Sequence, residues 1–272
     1  MVSYNSYPLT RRILEPLAGG IGKEVEEIII VDSASPDQTG EKLKADFPAI
    51  HYLPMPQNQG YGAAVNVGAA RAKAGWLLVA NGDVEITPAQ VNRLKELAQA
   101  HDADLMAPLQ ETPEGRPIPT VRNFPTPRTI LFARRSPLGR LFGSTGGYLR
   151  PLPEKTEPVA GAIGGGCFLV KKECFMKIGG FDPNFFLFVE DIDLCKRLHA
   201  AGAKIFFTPE VKVRHFWGFS TGQNFLKTLQ YQQAALLYYF QKHSLVRRFP
   251  LALLNFSFWF QRVLYKFFGI RK

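Results

Sequence analysis

Apolar and polar positions along the first two thirds of the chain predict repeated strand–helix units. Val2–Tyr4 reads as the end of a strand, and Leu9–Leu17 as a short helix. Glu27–Val31 is a β-branched apolar run of strand length with polar flanks. Ser35, Pro36 and Gln38 then offer an N-cap, a proline for the first helical position and a capping-box partner, which predicts a helix to about Phe47. Ile50–Leu53 is the next strand, and Ala63–Ala74 an alanine-rich helix stopped by Gly75. Trp76–Ala80 reads as a buried strand and Pro88–His101 as a helix. Such units predict an α/β fold: a mostly parallel central sheet with helices on both faces. Ligands of such sheets sit beyond the carboxyl ends of the strands.

The pattern breaks over residues 108–158, a stretch dense in proline that carries Arg116, Arg122, Arg128, Arg134, Arg135, Arg140 and Arg150 with no acid between the first and the last. It reads either as a long loop segment over the site or as a solvated surface insert. Periodicity returns with Cys167–Val170 as a strand, Lys172–Ile178 and Asp191–Ala201 as helices, and Lys204–Phe207 and Lys212–His215 as short strands. Residues 225–248 form an amphipathic pattern with Phe225, Leu229, Leu236, Tyr239 and Phe240 on its apolar side. Residues 249–270 are richer in aromatics, interrupted by Asn255, Gln261, Arg262 and Lys266. The expected division is a domain over 1–220 with halves at 1–107 and 159–220 and the basic segment between, followed by a helical tail over 221–272.

Composition adds three limits. Apolar residues are 46% of the 272, enough for a substantial core, which excludes global disorder. Three cysteines without zinc spacing make no disulfide framework, and no charged segment followed by an apolar one opens the chain, so a reducing, cytoplasmic setting is expected. The net charge of +10 lies wholly after Glu210, because residues 211–272 contain no acid. A basic tail with its own task fits this better than a uniformly basic nucleic-acid binder does. Its aromatics and cations suit the anionic inner face of a cell membrane, as an interfacial rather than a spanning helix. Packing onto the catalytic domain or onto a second copy is the other reading.

Three acidic positions fall at strand ends. Asp32 follows the strand Glu27–Val31, Asp83 stands in the turn Asn81-Gly82-Asp83, and Asp191 opens a helix after FFLFVE. Helix capping is the ordinary use of such acids, but Ser35 is expected to cap after Asp32, and Glu85 or Thr87 after Asp83. Asp191 shares a helical face with Leu194, Leu198 and Ala201, so its carboxylate must meet a polar cleft or pay several kcal/mol, roughly 2–7, for burial among apolar groups. Asp193 lies on another face, four before Arg197, as an ordinary ion pair. Asp191 is therefore the candidate reactive carboxylate and Glu190 its neighbour. Asn58, Gly60, Gly62, Asn66 and Gly68 surround the alanine-rich helix start without a dinucleotide or P-loop spacing. Gly164–Gly166 is a second place where backbone can approach a ligand.

Taken together, VSYNS (2–6), EIIIVDSASPDQT (27–39), NQGYGAAVNVGAARAKAG (58–75), LLVANGDVEIT (77–87), GGFDPNFFLFVEDIDLCKRLHAAG (179–202) and VRHFWGFS (213–220) resemble the inverting family 2 glycosyltransferases of the GT-A fold, particularly their rhamnosyltransferase-like branch. The resemblance implies that Asp32 reads the nucleotide base, with Tyr4, Asn5 and Asn58 beside it. Gly60, Asn66, Asn81, Gly82 and Gly166 would adjoin the nucleotide sugar. NGD stands where the family has a DxD-type motif, so Asp83 would hold a divalent metal, Mg²⁺ or Mn²⁺, on the donor diphosphate. Asn81 in place of the first acid leaves fewer anionic ligands. His215 resembles a further metal ligand; a hydrogen-bonded histidine at a strand end is the alternative. Asp191 resembles the general base. Met1 directly precedes VSYNS, where the family has several more apolar residues, so the expectation is either a short first strand or a start assigned too late.

The implied function is transfer of a sugar from a nucleotide-sugar donor, dTDP-rhamnose or a UDP-sugar, to a glycan or lipid-linked acceptor in cell-surface polysaccharide synthesis. One carboxylate deprotonates the acceptor, and a hard cation steadies the departing diphosphate. The rivals are a nucleotidyltransferase, which wants a glycine-rich basic loop where SYNSYPLT stands, and a non-catalytic nucleotide-sugar-binding scaffold at the membrane.

Overall fold

The computed structural model describes residues 1–133, 149–216, 225–245 and 248–268. Arg134, Arg135 and Arg140, the end of the VRHFWGFS string from Trp217, and Arg247, Arg271 and Lys272 lie outside the described residues.

The first strands are β1 (Val2–Ser3), β2 (Ile29–Asp32) and β3 (His51–Pro54), all paired in parallel. They are joined by α1 (Tyr7–Ala18) and α2 (Thr39–Asp46), and α3 (Tyr61–Arg71) follows. A parallel bridge from Val2 to Asn81 carries β1 to the end of β4 (Trp76–Ala80). β4 opens a second sheet with β5 (Val84–Glu85), β6 (Leu105–Glu111), β10 (Cys167–Lys171) and β11 (Ile205–His215), in the order β4-β10-β6-β11-β5. β8 (Glu157–Pro158) pairs with β11, and β7 (Val121–Arg122) with β9 (Ala162–Ile163) as a separate ribbon. The remaining helices are α4 (Pro88–Ala100), α5 (Pro127–Leu131), α6 (Lys172–Lys177), α7 (Glu190–Ala200), α8 (Phe225–Lys242) and α9 (Arg248–Phe268).

The α/β class stands, and β1, β2, β3, β4, β6 and β11 run in one direction. β10 runs antiparallel to both β4 and β6, and β5 and β8 run antiparallel to β11, whereas β6–β11 is parallel. The apolar runs that suggested parallel strands report burial on both faces, as along Leu105–Gln110, and carry no information about direction. The two short strands expected after Lys204 are one strand with an irregularity between Thr208 and Lys212, where Pro209 offers no amide to the ladder. α2 begins at Thr39, with Gln38 in the left-handed region, and Ser35 does not cap it. Thr87 does cap α4, in a full capping box with Gln90 behind Pro88.

The larger apolar cluster contains Val65 and Ala69 of α3, Phe168 of β10, Phe175 of α6, Leu194 and Leu198 of α7 and Phe207 of β11. Leu236, Tyr239 and Phe240 of α8 and Leu254 and Phe258 of α9 join the same cluster. The amphipathic side of α8 therefore faces protein, with Phe225 left exposed. Full burial of each such side chain stabilises by about 1.5–3 kcal/mol. A second cluster gathers α1, α4 and the facing side chains of β4, β10 and β11.

Candidate active site

At the carboxyl end of β2 the Asp32 side chain is buried and enclosed by its own neighbours. Oδ1 accepts from Ser3 Oγ (3.0 Å) and Ser35 Oγ (2.5 Å), and Oδ2 from the Ser35 amide (3.0 Å). Ser35 is thus engaged with Asp32 as a side-chain turn, which is why it is lost as a helix cap. Asn5 donates its amide to Ser35 Oγ at 3.1 Å, and Tyr4 lies exposed beside it in sequence.

Sheet register makes the second cluster. His215 pairs with Val84, and the Phe216 amide donates to Asp83 O at 2.9 Å, so the end of β11 lies against the NGD turn. His215 Nε2 stands 3.2 Å from Asp83 Oδ1, and its Nδ1 is 2.8 Å from Gln110 Oε1. His215 thus lies between the Gln110 amide and the Asp83 carboxylate, with one ring nitrogen facing each. The buried oxygens Asp83 Oδ1 and Asn81 Oδ1 have no hydrogen-bond donor. The Asp83 and Asn81 oxygens and the His215 ring are ligand types that suit a hard divalent cation. Among the described residues no group of three or more His, Cys, Asp and Glu side chains comes together for a metal, so a cation here needs oxygens from a ligand as well.

The third cluster adjoins the second through two glycines. The Asn81 amide donates to Gly166 O at 2.9 Å, and a Cβ on Gly166 would lie 2.7 Å from Gln110 Oε1 and 2.8 Å from His215 Cε1. Next to it the Gly165 amide donates to Asp191 Oδ2 at 2.9 Å, and a Cβ there would lie 3.0 Å from Asp191 Cβ. Gly165 and Gly166 therefore have no side chain because Asp191 and His215 occupy that space. Arg122 of β7 reaches the same Asp191 Oδ2 at 3.3 Å, and Oδ1 accepts from the Ile192 amide at 2.8 Å. Tyr61 OH donates to Gly165 O at 3.2 Å. Burial pushes the Tyr61 phenol well up, and the negative charges of Glu190, Asp83 and Asp191 push it further.

Glu190 and Asp191 stand in the first turn of α7, just after Phe188 and Val189, whose φ angles are +71° and +67°. Two consecutive left-handed residues, one of them β-branched, are strained by about 1–3 kcal/mol each. The turn aims both carboxyls inward. Burial pushes the Glu190 carboxyl up to about 8, with the Asp191 charge adding to it, and Glu190 Oε2 has no donor. Asp193 departs from expectation: the pair to Arg197 exists at 2.7 Å, yet the carboxylate is fully buried and also meets Lys242 and His243. The tail, coming from beyond the predicted helix, supplies the Lys242 ammonium and the His243 ring, whose pKa burial lowers.

Other sequence candidates have local partners. Asn58 Oδ1 accepts from the Gly60 amide at 2.9 Å, and Gly60, at φ +95°, lies against the Phe186 backbone. Asn66 is committed to the backbone of Phe181, donating at 2.8 Å and accepting at 2.9 Å. Gly82 presses on Val2 O and Thr10 Oγ1. Arg122 was legible only as one of seven arginines, and Gln110 and Tyr61 carried no individual signal.

These clusters stand at the strand ends of an α/β fold shared with GT-A glycosyltransferases. The family model described as glycosyl transferase family 2 matches residues 1–178, and one for the N-terminal domain of galactosyltransferase matches 153–219. The chain belongs to glycosyl transferase family 2. Within that family it is a rhamnosyltransferase-like glycosyltransferase of cell-surface glycan synthesis. It is 30% identical over 264 residues to the N-acetylglucosaminyl-diphospho-decaprenol L-rhamnosyltransferase of Mycobacterium tuberculosis, covering 92% of this chain and 86% of that one. It is 28% identical over 204 residues to the low-salt glycan biosynthesis hexosyltransferase Agl10 of Haloferax volcanii, covering 72% and 59%. The mannosyltransferase PcManGT from Pyrobaculum calidifontis, solved with GDP-Man and Mn²⁺, shares the fold at TM-score 0.59 and 13% identity, over 100% of this chain and 74% of that one.

Proposed function

We propose that this glycosyltransferase is inverting and metal-dependent, and that it moves a sugar from a nucleoside diphosphate donor to a hydroxyl of a glycan or lipid-linked acceptor. dTDP-rhamnose is the first donor to test and UDP-sugars the next. The observation that carries the reading is the junction at Gly165–Gly166, where Asp191 contacts one glycine and His215 the next. In this scheme the Asp191 carboxylate takes the proton of the acceptor hydroxyl. The freed oxygen attacks the anomeric carbon from the face opposite the diphosphate. The carbon–oxygen bond to phosphate breaks, and the nucleoside diphosphate leaves with that electron pair. Arg122 and the Gly165 amide hold the base in place. Asp83, His215 and Asn81 are the residues that would hold a divalent cation, which neutralises charge on the departing diphosphate. Asp32, with Tyr4, Asn5 and Asn58 nearby, takes the nucleotide end.

A panel of nucleotide sugars tests this. Thermal stabilisation by the donor should require Mn²⁺ or Mg²⁺, vanish with chelator, and be followed by release of nucleoside diphosphate when acceptor is added. Asp83→Ala should remove the metal-dependent part of the stabilisation. Equal stabilisation with and without metal, in both proteins, would refute the metal assignment.

The second part of the reading concerns α9. Leu253, Phe256, Trp259 and Phe260 are exposed, and Arg262 and Lys266 follow in the same helix. Among the described residues no helix is long and apolar enough to cross a membrane. An anionic membrane surface fits this aromatic and basic face. Vesicles containing anionic lipid should retain the full chain and release a Phe256→Ser/Trp259→Ser variant; equal retention of both would refute the membrane role.

A further inference from the structure

Lys242, at the last residue of α8, makes two ion pairs that sit on either side of the candidate base. Its Nζ lies 2.7 Å from Asp182 Oδ2 and 2.8 Å from Asp193 Oδ1. Asp182 precedes the strained turn at Phe188–Val189, and Asp193 follows it by one helical turn. One ammonium thus closes the ends of the segment that presents Glu190 and Asp191.

The contacts around it are built, not incidental. Burial pushes the Asp182 carboxyl up, but Lys242, the Asn184 amide groups and Tyr238 pull it down to about 2. Tyr238 OH donates to Asp182 Oδ2 at 2.9 Å. Asp193, fully buried, also meets Arg197 Nε at 2.7 Å and His243 Nε2 at 2.8 Å. The Lys242 ammonium lies over the Phe185 ring, which in turn meets Tyr238 edge to face. From the other side, the Tyr61 amide donates to Phe186 O at 3.1 Å, and Gly60 presses against the same carbonyl. A left-handed pair of residues persists only where its surroundings over-determine it, and here α3 and α8 supply those surroundings.

We propose that Lys242 is a positioning residue for glycosyl transfer: by bridging Asp182 and Asp193 it holds the 183–192 segment in the turn that points Asp191 at the acceptor. This deepens the reading of Asp191 as base and rests on it. The helix that carries Lys242 is then part of the transfer machinery, although it lies outside residues 1–220.

The test uses the full chain. Lys242→Met should lower kcat about tenfold to a hundredfold, the scale of a misplaced reacting group, and leave nucleotide affinity and donor KM within about twofold. Lys242→Arg should restore most of kcat. Amide hydrogen exchange over 183–192 should accelerate in Lys242→Met while α4 and β10 stay protected. Loss of kcat and donor affinity in equal proportion, or full kcat with unchanged exchange over 183–192, overturns the proposal. If Lys242→Met does not fold, Asp182→Asn severs one arm and leaves Asp193 paired; the same split in kcat is expected, and wild-type kcat there overturns it. Exchange also separates this proposal from the base assignment: if Asp191→Asn transfers sugar normally, the base reading fails, and faster exchange in Lys242→Met still upholds the bridge.

Discussion

The two ends of the candidate site treat their acids differently. At Asp32 every contact is answered within the chain: two hydroxyls and one amide converge on the carboxylate. At the other end, Asn81 Oδ1, Asp83 Oδ1 and Glu190 Oε2 are buried with no donor. Leaving a buried polar atom unpartnered costs about 1–3 kcal/mol. The first end is therefore a finished structure, whose acid shapes a loop as much as it meets a ligand. The second end is incomplete without added groups, the pattern expected where stability is given up for chemistry.

The largest effect should follow from Asp191→Asn. Loss of a general base costs typically 10²–10⁴-fold in rate. Donor-dependent thermal stabilisation should remain while nucleoside diphosphate release collapses. Undiminished transfer would break the contrast at its most important point.

Glu190→Gln should act on stability. The Glu190 carboxyl titrates near 8 in the folded chain against about 4.5 when exposed, because burial disfavours the charge. Below both values the proton is bound in folded and unfolded chains alike, and Glu190 contributes no difference. Between them the unfolded chain ionises and the folded one does not, so wild type loses stability as pH rises through that window. The variant lacks this loss and should gain on wild type by a few kcal/mol between pH 4.5 and 8. Parallel melting curves across that range would mean Glu190 is not held neutral by burial.

The smallest effect should come from Asp32→Asn, which removes an acceptor of the Ser35 amide and costs about 1–3 kcal/mol. Its melting temperature should fall with or without nucleotide. An unchanged melting temperature with lost donor binding would make Asp32 a ligand group alone, and the two ends would then be alike.

Much of this was legible in the sequence, for reasons that differ between elements. Trp76–Ala80 and the Pro88 helix were read correctly because burial and capping are local signals. Strand direction was not, since β10 reads the same whichever way it runs. The Asp191 turn was placed because its helix face is periodic, and the same spacing gave the Asp193–Arg197 pair but not the further partners of Asp193. Those partners, Lys242 at the end of α8 and His243 just after it, come from some fifty residues on. Gln110 and Arg122 are brought in by β6 and β7 from distant sequence, and nothing near them in the chain announces a role.

Gly165 and Gly166 are consecutive, so one peptide link, about 3.8 Å between its Cα atoms, separates the Asp191 contact from the His215 contact. A methyl group on either one would have to displace a neighbour, Asp191 in the first case and Gln110 or His215 in the second. Two adjacent positions therefore tolerate no larger residue, each on account of a different partner.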